Sequence, residues 1–131
     1  MNYKEALEKI DSLLVFGSKP GLERINKLLD LMGRPQDELR FVHVAGTNGK
    51  GSVCNMLACA LAAAGYKTGL FTSPHITGFG ERMQINGRQI EENDVVALVE
   101  RLFPLVERLR ADGEIITEFE FVTAMAFDYF R

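Results

Sequence analysis

The residues best suited to chemistry form a glycine-rich stretch at positions 46–52, which follows a short apolar run at 41–45. The stretch consists of Gly46, Thr47, Asn48, Gly49, Lys50, Gly51 and Ser52. Glycines let backbone N–H groups approach an anion without a Cβ clash, and a helix beginning here would add the positive end of its dipole. Lys50 would add a full charge for the outer phosphates. We therefore predict a nucleotide-binding loop for ATP, with Lys50 as the catalytic residue.

This loop departs in two ways from the general phosphate-loop pattern, in which four residues separate the glycines and Ser or Thr follows Lys. Only two residues separate Gly46 from Gly49, and Gly51 follows Lys50. The hydroxyl that ordinarily binds Mg²⁺ is therefore missing from its usual place. Two alternatives stay open: Ser52 supplies a hydroxyl from one residue further on, or the metal is held elsewhere.

The elements that would position this loop are amphipathic helices and short strands. Apolar periodicity and breaking residues predict helices at 3–14, 22–32, 52–64 and 93–111, and from Thr117 onward. Apolar runs and turn residues predict buried strands at 41–45 and 67–72, then a hairpin of 82–85 and 88–90 around Asn86-Gly87. This order predicts an α/β fold: a three-layer, P-loop NTPase-like parallel sheet flanked by helices, incomplete, with a small β-hairpin after the second strand.

Bulk composition narrows the class of protein. The 131 residues suffice for one domain, and 47% hydrophobic with 25% charged residues is ordinary for a globular chain. A net charge of −3 without a basic run argues against nucleic acid or an anionic membrane as partner. The longest apolar stretch, 56–64, is too short to span a bilayer, and no signal pattern opens the chain. We therefore expect a cytoplasmic location.

Several motifs together resemble one enzyme family. The segment 43–52, HVAGTNGKGS, is similar to the phosphate-loop signature of the folylpolyglutamate synthase and dihydrofolate synthase family, cousins of the Mur ligases. Other segments that resemble the family are Gly21-Leu22-Glu23-Arg24, Thr72-Ser73-Pro74-His75, Glu81-Arg82, Ile85-Asn86-Gly87, Phe119-Glu120, Thr123-Ala124 and Ala126-Phe127. The resemblance covers essentially the whole chain, in order.

The resemblance implies an activity. Members of the family are ATP-dependent ligases that join L-glutamate to a folate carboxylate through an acyl phosphate. Whether this protein also has dihydrofolate synthase activity stays open. Residues 1–131 would be the N-terminal portion of the ATP-binding domain, which is of the Mur ligase central type. The C-terminal glutamate-binding domain would be absent, so we expect this chain to be inactive alone.

The resemblance also implies ligands for Mg²⁺, namely Ser73 and Glu120, with Glu118 as the fallback. Hydroxyl and carboxylate oxygens suit this ion. Glu120 has a structural alternative, because Thr117 followed three residues later by Glu120 fits a helix capping box. Ser73 before Pro74 also fits a turn.

Other assignments stay open. His75 and Arg82 are candidate substrate contacts, although His75 could contact nothing and Arg82 could be a solvated charge. A Mur ligase-type cell-wall enzyme and a nucleotide-binding, non-catalytic fragment are alternative functions. The apolar segment 119–131 ends without a cap. We therefore expect either a longer protein or an exposed C-terminal helix that self-associates.

Overall fold

The computed structural model describes residues 1–131 and divides them into two compact units. The helical unit comprises Met1–Leu39 and Glu92–Arg131. The loop-and-sheet unit comprises Arg40–Glu91. None of the helices has both the length and the apolar composition that a bilayer crossing requires.

The helical unit contains α1 (Tyr3–Asp11), α2 (Glu23–Leu31), α4 (Glu92–Ala111) and α5 (Glu118–Phe130). Two short 3₁₀ helices, Ser12–Phe16 and Pro35–Glu38, follow α1 and α2. The predicted helices are thereby confirmed, and α4 continues through Pro104. A reciprocal capping box starts α1, because the Asn2 side chain accepts from Glu5 N at 2.8 Å and Glu5 Oε1 accepts from Asn2 N at 3.2 Å.

The last helix, α5, is the centre of the helical core rather than an exposed surface. Its apolar residues Phe121, Val122, Met125 and two alanines are buried, and the helix contacts α1, α2 and α4. The expectation that this helix is exposed is therefore wrong, and self-association of the chain stays a prediction. The segment is apolar because other helices cover it on several sides.

The loop-and-sheet unit contains α3 (Lys50–Ala63), β1 (Gly69–Phe71), β2 (Met83–Ile85) and β3 (Arg88–Gln89), with a 3₁₀ turn at Phe79–Arg82. The three strands form one antiparallel sheet in the order β1-β2-β3. The predicted hairpin is confirmed, since Asn86 and Gly87 have φ values of 50° and 79°, as a type I′ turn requires.

The predicted parallel sheet is absent from the structure. Residues 41–45 form no strand, and Phe41 and Val42 are 57% and 67% exposed. Strand β1 pairs with β2 through Gly69↔Ile85, and β2 runs antiparallel to it. An apolar run becomes a strand only when another strand accepts its backbone hydrogen bonds. In this chain, β1 pairs with β2, the first strand of the following hairpin.

Candidate nucleotide and substrate site

The glycine-rich loop leads directly into a helix, as predicted. Helix α3 begins at Lys50, and Gly49 before it has a left-handed φ of 77°. No side chain caps this end of the helix. Its first N–H groups therefore point out of the helix end, beside the exposed Lys50 side chain. Such an end attracts an anion through its N–H groups and its dipole.

Two other loop glycines have different backbone requirements. Gly46 has φ 151°, and a Cβ added there would meet nothing within 4 Å. Gly51 lies inside α3 with ordinary helical backbone, also in open space. Neither the fold nor local packing demands glycine at position 51. Glycine at this position leaves the backbone open to close approach by a ligand.

Ser73 and His75 lie in the exposed part, 73–77, of the loop 73–80 in the same unit, just after β1, which contacts α3. The Ser73–Pro74 peptide bond is cis. The ring of His75 meets the edge of Phe79 at 6.2 Å between centroids. Both candidate side chains thus stand on a loop that begins where β1 ends.

Arg82 does not fit the interpretation that made it a solvated surface charge, whereas its role as a substrate contact stays a prediction. It ends the 3₁₀ turn before β2, is 5% exposed, and its guanidinium carbon lies 5.7 Å from the centroid of the Phe79 ring. A residue so covered cannot be a solvated strand charge. The cation–π contact between Arg82 and the Phe79 ring stabilises the end of the loop.

Glu120 lies in the helical unit, where its carboxylate already has protein partners. The Thr117 hydroxyl accepts from Glu120 N at 3.2 Å, and Glu120 Oε1 accepts from Thr117 N at 3.0 Å. Arg24 Nε donates to the same Oε1 at 3.3 Å, and Arg24 Nη2 lies 3.3 Å from Oε2. The capping-box alternative is the geometry that the structure adopts.

The predicted Mg²⁺ ligands, Ser73 and Glu120, are not brought together within either unit of the structure. No three His, Cys, Asp or Glu side chains converge on a common point. Ser73 and Glu120 belong to different units, and both carboxylate oxygens of Glu120 are engaged by Arg24 and Thr117. Mg²⁺ usually keeps several waters and takes one or two protein oxygens together with the phosphates of its substrate. The assignment of Ser73 and Glu120 as its ligands therefore stays a prediction.

Sequence reasoning missed two organising residues, Arg24 and Glu81. Besides Glu120, Arg24 Nη2 donates to the carbonyls of Lys19 and Pro20, both at 3.1 Å. The Glu81 carboxylate accepts from the N–H groups of the loop 73–80. Both residues stood inside family-like motifs, but most of their partners are backbone groups of loops, whose geometry has no periodic sequence signal.

Comparison with known proteins gives a consistent result. No protein-family model matches the chain. The dihydrofolate synthase/folylpolyglutamate synthase of Bacillus subtilis is 45% identical over 129 residues, which cover 98% of this chain and 30% of that protein. The solved folylpolyglutamate synthetase from Lactobacillus casei superimposes with a TM-score of 0.93 at 41% identity, covering 100% of this chain and 33% of the other.

A solved FPGS–AMPPCP–folate complex also matches, with a TM-score of 0.90 and 40% identity over 100% of this chain and 32% of the other. A lysine at the start of a helix after a glycine-rich loop is the arrangement of a phosphate-binding protein. Within that class, the chain belongs to the folylpolyglutamate synthase and dihydrofolate synthase family. It spans about a third of the length of the relatives that it matches.

Proposed function

We propose that the protein carrying this sequence is an ATP-dependent ligase that adds L-glutamate to a folate carboxylate. The observation that carries the proposal is similarity over the whole chain to folylpolyglutamate synthases, one of them in complex with AMPPCP and folate. The glycine-rich loop at the start of α3 supports it, because the loop offers unpaired N–H groups and Lys50 to an anion.

The chemistry proceeds in two steps. A carboxylate oxygen of the folate attacks the γ-phosphorus of ATP, and ADP leaves with the electrons of the broken P–O bond. The amine of glutamate then attacks the acyl carbon, inorganic phosphate leaves, and the amine loses a proton. Phosphorylation is needed because phosphate is a far better leaving group than oxide.

Lys50 and the first N–H groups of α3 would hold the phosphates during the first step. Their contribution is positioning and stabilisation of the charge on the transferring phosphoryl group. In the family, ATP is used together with Mg²⁺. Ser73 and Glu120 are the candidate ligands of that ion in this chain, and no step of the reaction is assigned to it.

A second proposal concerns the residues of this chain alone. They contain the end of α3 proposed to bind phosphate, but they correspond to only about a third of the length of the relatives. We expect the isolated chain to bind nucleotide weakly and to perform no ligation. Detectable glutamate ligation by purified residues 1–131 would contradict this.

Substrate-dependent ATP hydrolysis tests the function. The assay adds folate, L-glutamate or a UDP-sugar peptide singly and together, and folate plus glutamate should be the pair that accelerates hydrolysis. Lys50→Ala should weaken ATP binding roughly 10- to 100-fold, since a hydrogen bond to a charged group contributes about 1.5–3 kcal/mol. Lys67→Ala, which removes an exposed lysine of the same unit, is the matched control. Dependence on a UDP-sugar peptide would point to a cell-wall ligase instead.

A further inference from the structure

The side chain of Glu81 is held inside the loop that it follows. Its carboxylate accepts hydrogen bonds from three successive backbone N–H groups, those of Ile76 at 2.9 Å, Thr77 at 2.7 Å and Gly78 at 3.0 Å. The Thr77 hydroxyl donates to the same carboxylate. Successive N–H groups pointing at one centre form an anion-binding concavity, and here the anion is supplied by the chain itself.

The base of this loop is fixed by separate bonds. Thr72 N donates to the Arg82 carbonyl at 3.1 Å, and Gln84 Nε2 donates to the Glu81 carbonyl at 3.1 Å. Phe79 is buried, and a Cβ on Gly80 would lie 2.9 Å from Gln89 Oε1. Residues 79–82 are therefore a rigid base, and Glu81 reaches from that base to the outer part of the loop.

The outer part of the loop is exposed and carries the candidate substrate contacts. Ser73, Pro74, His75 and Ile76 are all exposed, and Ile76 is 90% exposed. An exposed segment without regular secondary structure has many accessible conformations. The carboxylate of Glu81 selects one of them by satisfying three of its N–H groups at once.

We propose that Glu81 is a positioning residue for the ligase reaction, because its carboxylate fixes residues 76–78 and thereby restricts the adjoining segment that carries Ser73 and His75. The inference rests on the proposed function and deepens it. Glu81 contacts no reacting atom. It removes conformational freedom that the loop would otherwise lose when substrate binds.

Substitution of a single oxygen tests the anchoring directly. Glu81→Gln keeps the shape of the side chain but turns an amide NH₂ group toward N–H donors, so it cannot accept all of these bonds. Amide hydrogen exchange at residues 76–78 should become at least tenfold faster in Glu81→Gln. Glu91→Gln, which removes an exposed carboxylate from the same unit, should leave that exchange unchanged.

Kinetics distinguish positioning from a structural role. In the protein carrying this sequence, Glu81→Gln should raise KM for the folate acceptor roughly tenfold with KM for ATP within twofold of wild type. Thr77→Val should show a smaller effect of the same kind, and Thr77→Ser, which keeps the hydroxyl, should restore wild-type values. The threonine variants keep the test decisive where Glu81→Gln does not fold.

Two results would overturn the proposal. Unchanged exchange at 76–78 in Glu81→Gln would show that the carboxylate does not hold the loop. Faster exchange with unchanged acceptor KM would show that it holds the loop without affecting the reaction. Absence of ligation by the wild-type protein would instead refute the proposed function. Because the wild-type protein is assayed first, this result is distinguished from a failure of the Glu81 proposal.

Discussion

Arg24 and Glu120 lie 96 residues apart in sequence and form a largely buried ion pair, with 3.3 Å between Arg24 Nη2 and Glu120 Oε2. Their side chains are 15% and 11% exposed. The pair joins the start of α2 to the start of α5, and Thr117 adds the helix cap. Glu120 thereby connects α2 to the N-terminal end of α5 through one carboxylate.

Removal of the Glu120 carboxylate should destabilise the helical unit. Glu120→Ala leaves Arg24 partly buried without its partner and removes one bond of the capping box, so we expect a loss of about 2–4 kcal/mol in unfolding free energy. Glu120→Gln keeps an acceptor for Thr117 N and should cost less. Urea denaturation followed by circular dichroism measures both, and Glu118→Ala, which removes a neighbouring carboxylate, is the comparison.

The same variant separates the structural and metal-binding interpretations of Glu120. A structural carboxylate predicts that Glu120→Gln leaves the Mg²⁺ dependence of ATP binding unchanged in the protein carrying this sequence. A metal ligand predicts that more Mg²⁺ is needed in the variant. Titration of Mg²⁺ at fixed ATP, followed by calorimetry, would give the answer independently of stability.

The glycines that flank Lys50 should respond to alanine in opposite directions. Gly49 has φ 77°, where a Cβ is strained, so Gly49→Ala should lower stability by about 1–2 kcal/mol. Gly51 is inside α3 with free space around it, so Gly51→Ala should raise stability by about 0.5–1 kcal/mol. Thermal unfolding measures the two signs.

Nucleotide binding should not follow stability in this pair. If phosphates approach the backbone of α3 closely, a methyl group at Gly51 blocks them, and we expect roughly tenfold weaker ATP binding in the more stable variant, equivalent to about 1.4 kcal/mol. Gly65→Ala, beyond the other end of the same helix, is the comparison: at φ 97° it should lower stability, yet it should leave ATP affinity unchanged. Unchanged ATP affinity in Gly51→Ala would contradict close approach at this position.

Elements with a local signal were predictable from the sequence, and elements that depend on a distant partner were not. The Asn86-Gly87 turn and the α1 and α5 helices follow from residues that are close together in the chain. Whether residues 41–45 become a strand depends on a neighbour that sequence periodicity does not identify. The prediction that α5 is exposed was wrong for the same reason, because an apolar sequence does not identify the elements that pack against the helix.

The candidate site shows the same division. A helix directly after the glycine-rich loop was predicted from the glycines, although α3 begins at Lys50 rather than at position 52. The role of Glu120 had two consistent sequence interpretations, and its ion pair with Arg24 became visible only in three dimensions. No role was predicted for Glu81, because its partners are three backbone N–H groups, and the identities of the side chains do not indicate such bonds.

The hairpin turn should be sensitive to its two central residues. Asn86 Oδ1 accepts from Thr68 N at 2.9 Å, and Asn86 N donates to the Thr68 carbonyl at 2.9 Å, so this turn also holds the start of β1. Gly87→Val should lower unfolding free energy by about 1–2 kcal/mol, because a β-branched residue is strained at φ 79°. Asn86→Asp, which keeps the acceptor, should cost less than Asn86→Ala. Equal losses of unfolding free energy in both Asn86 variants would exclude a role for the bond from Thr68 N to Asn86 Oδ1.

The loop 73–80 should lose its order only in strong acid. Hydrogen bonds from the Thr77 side chain and from backbone N–H groups, that of Ile76 first, lower the pKa of Glu81 from its ordinary value of 4.5 to about 2. Because the folded-state pKa is depressed, the stabilisation by Glu81 is fully present above about pH 4.5 and is lost as the pH falls through about 2. Amide chemical shifts of residues 76–78 recorded from pH 5 to pH 2 should follow this transition, whereas Glu81→Gln should show none. A midpoint near 4.5 in the wild-type protein would mean that the carboxylate is not held by these donors in solution.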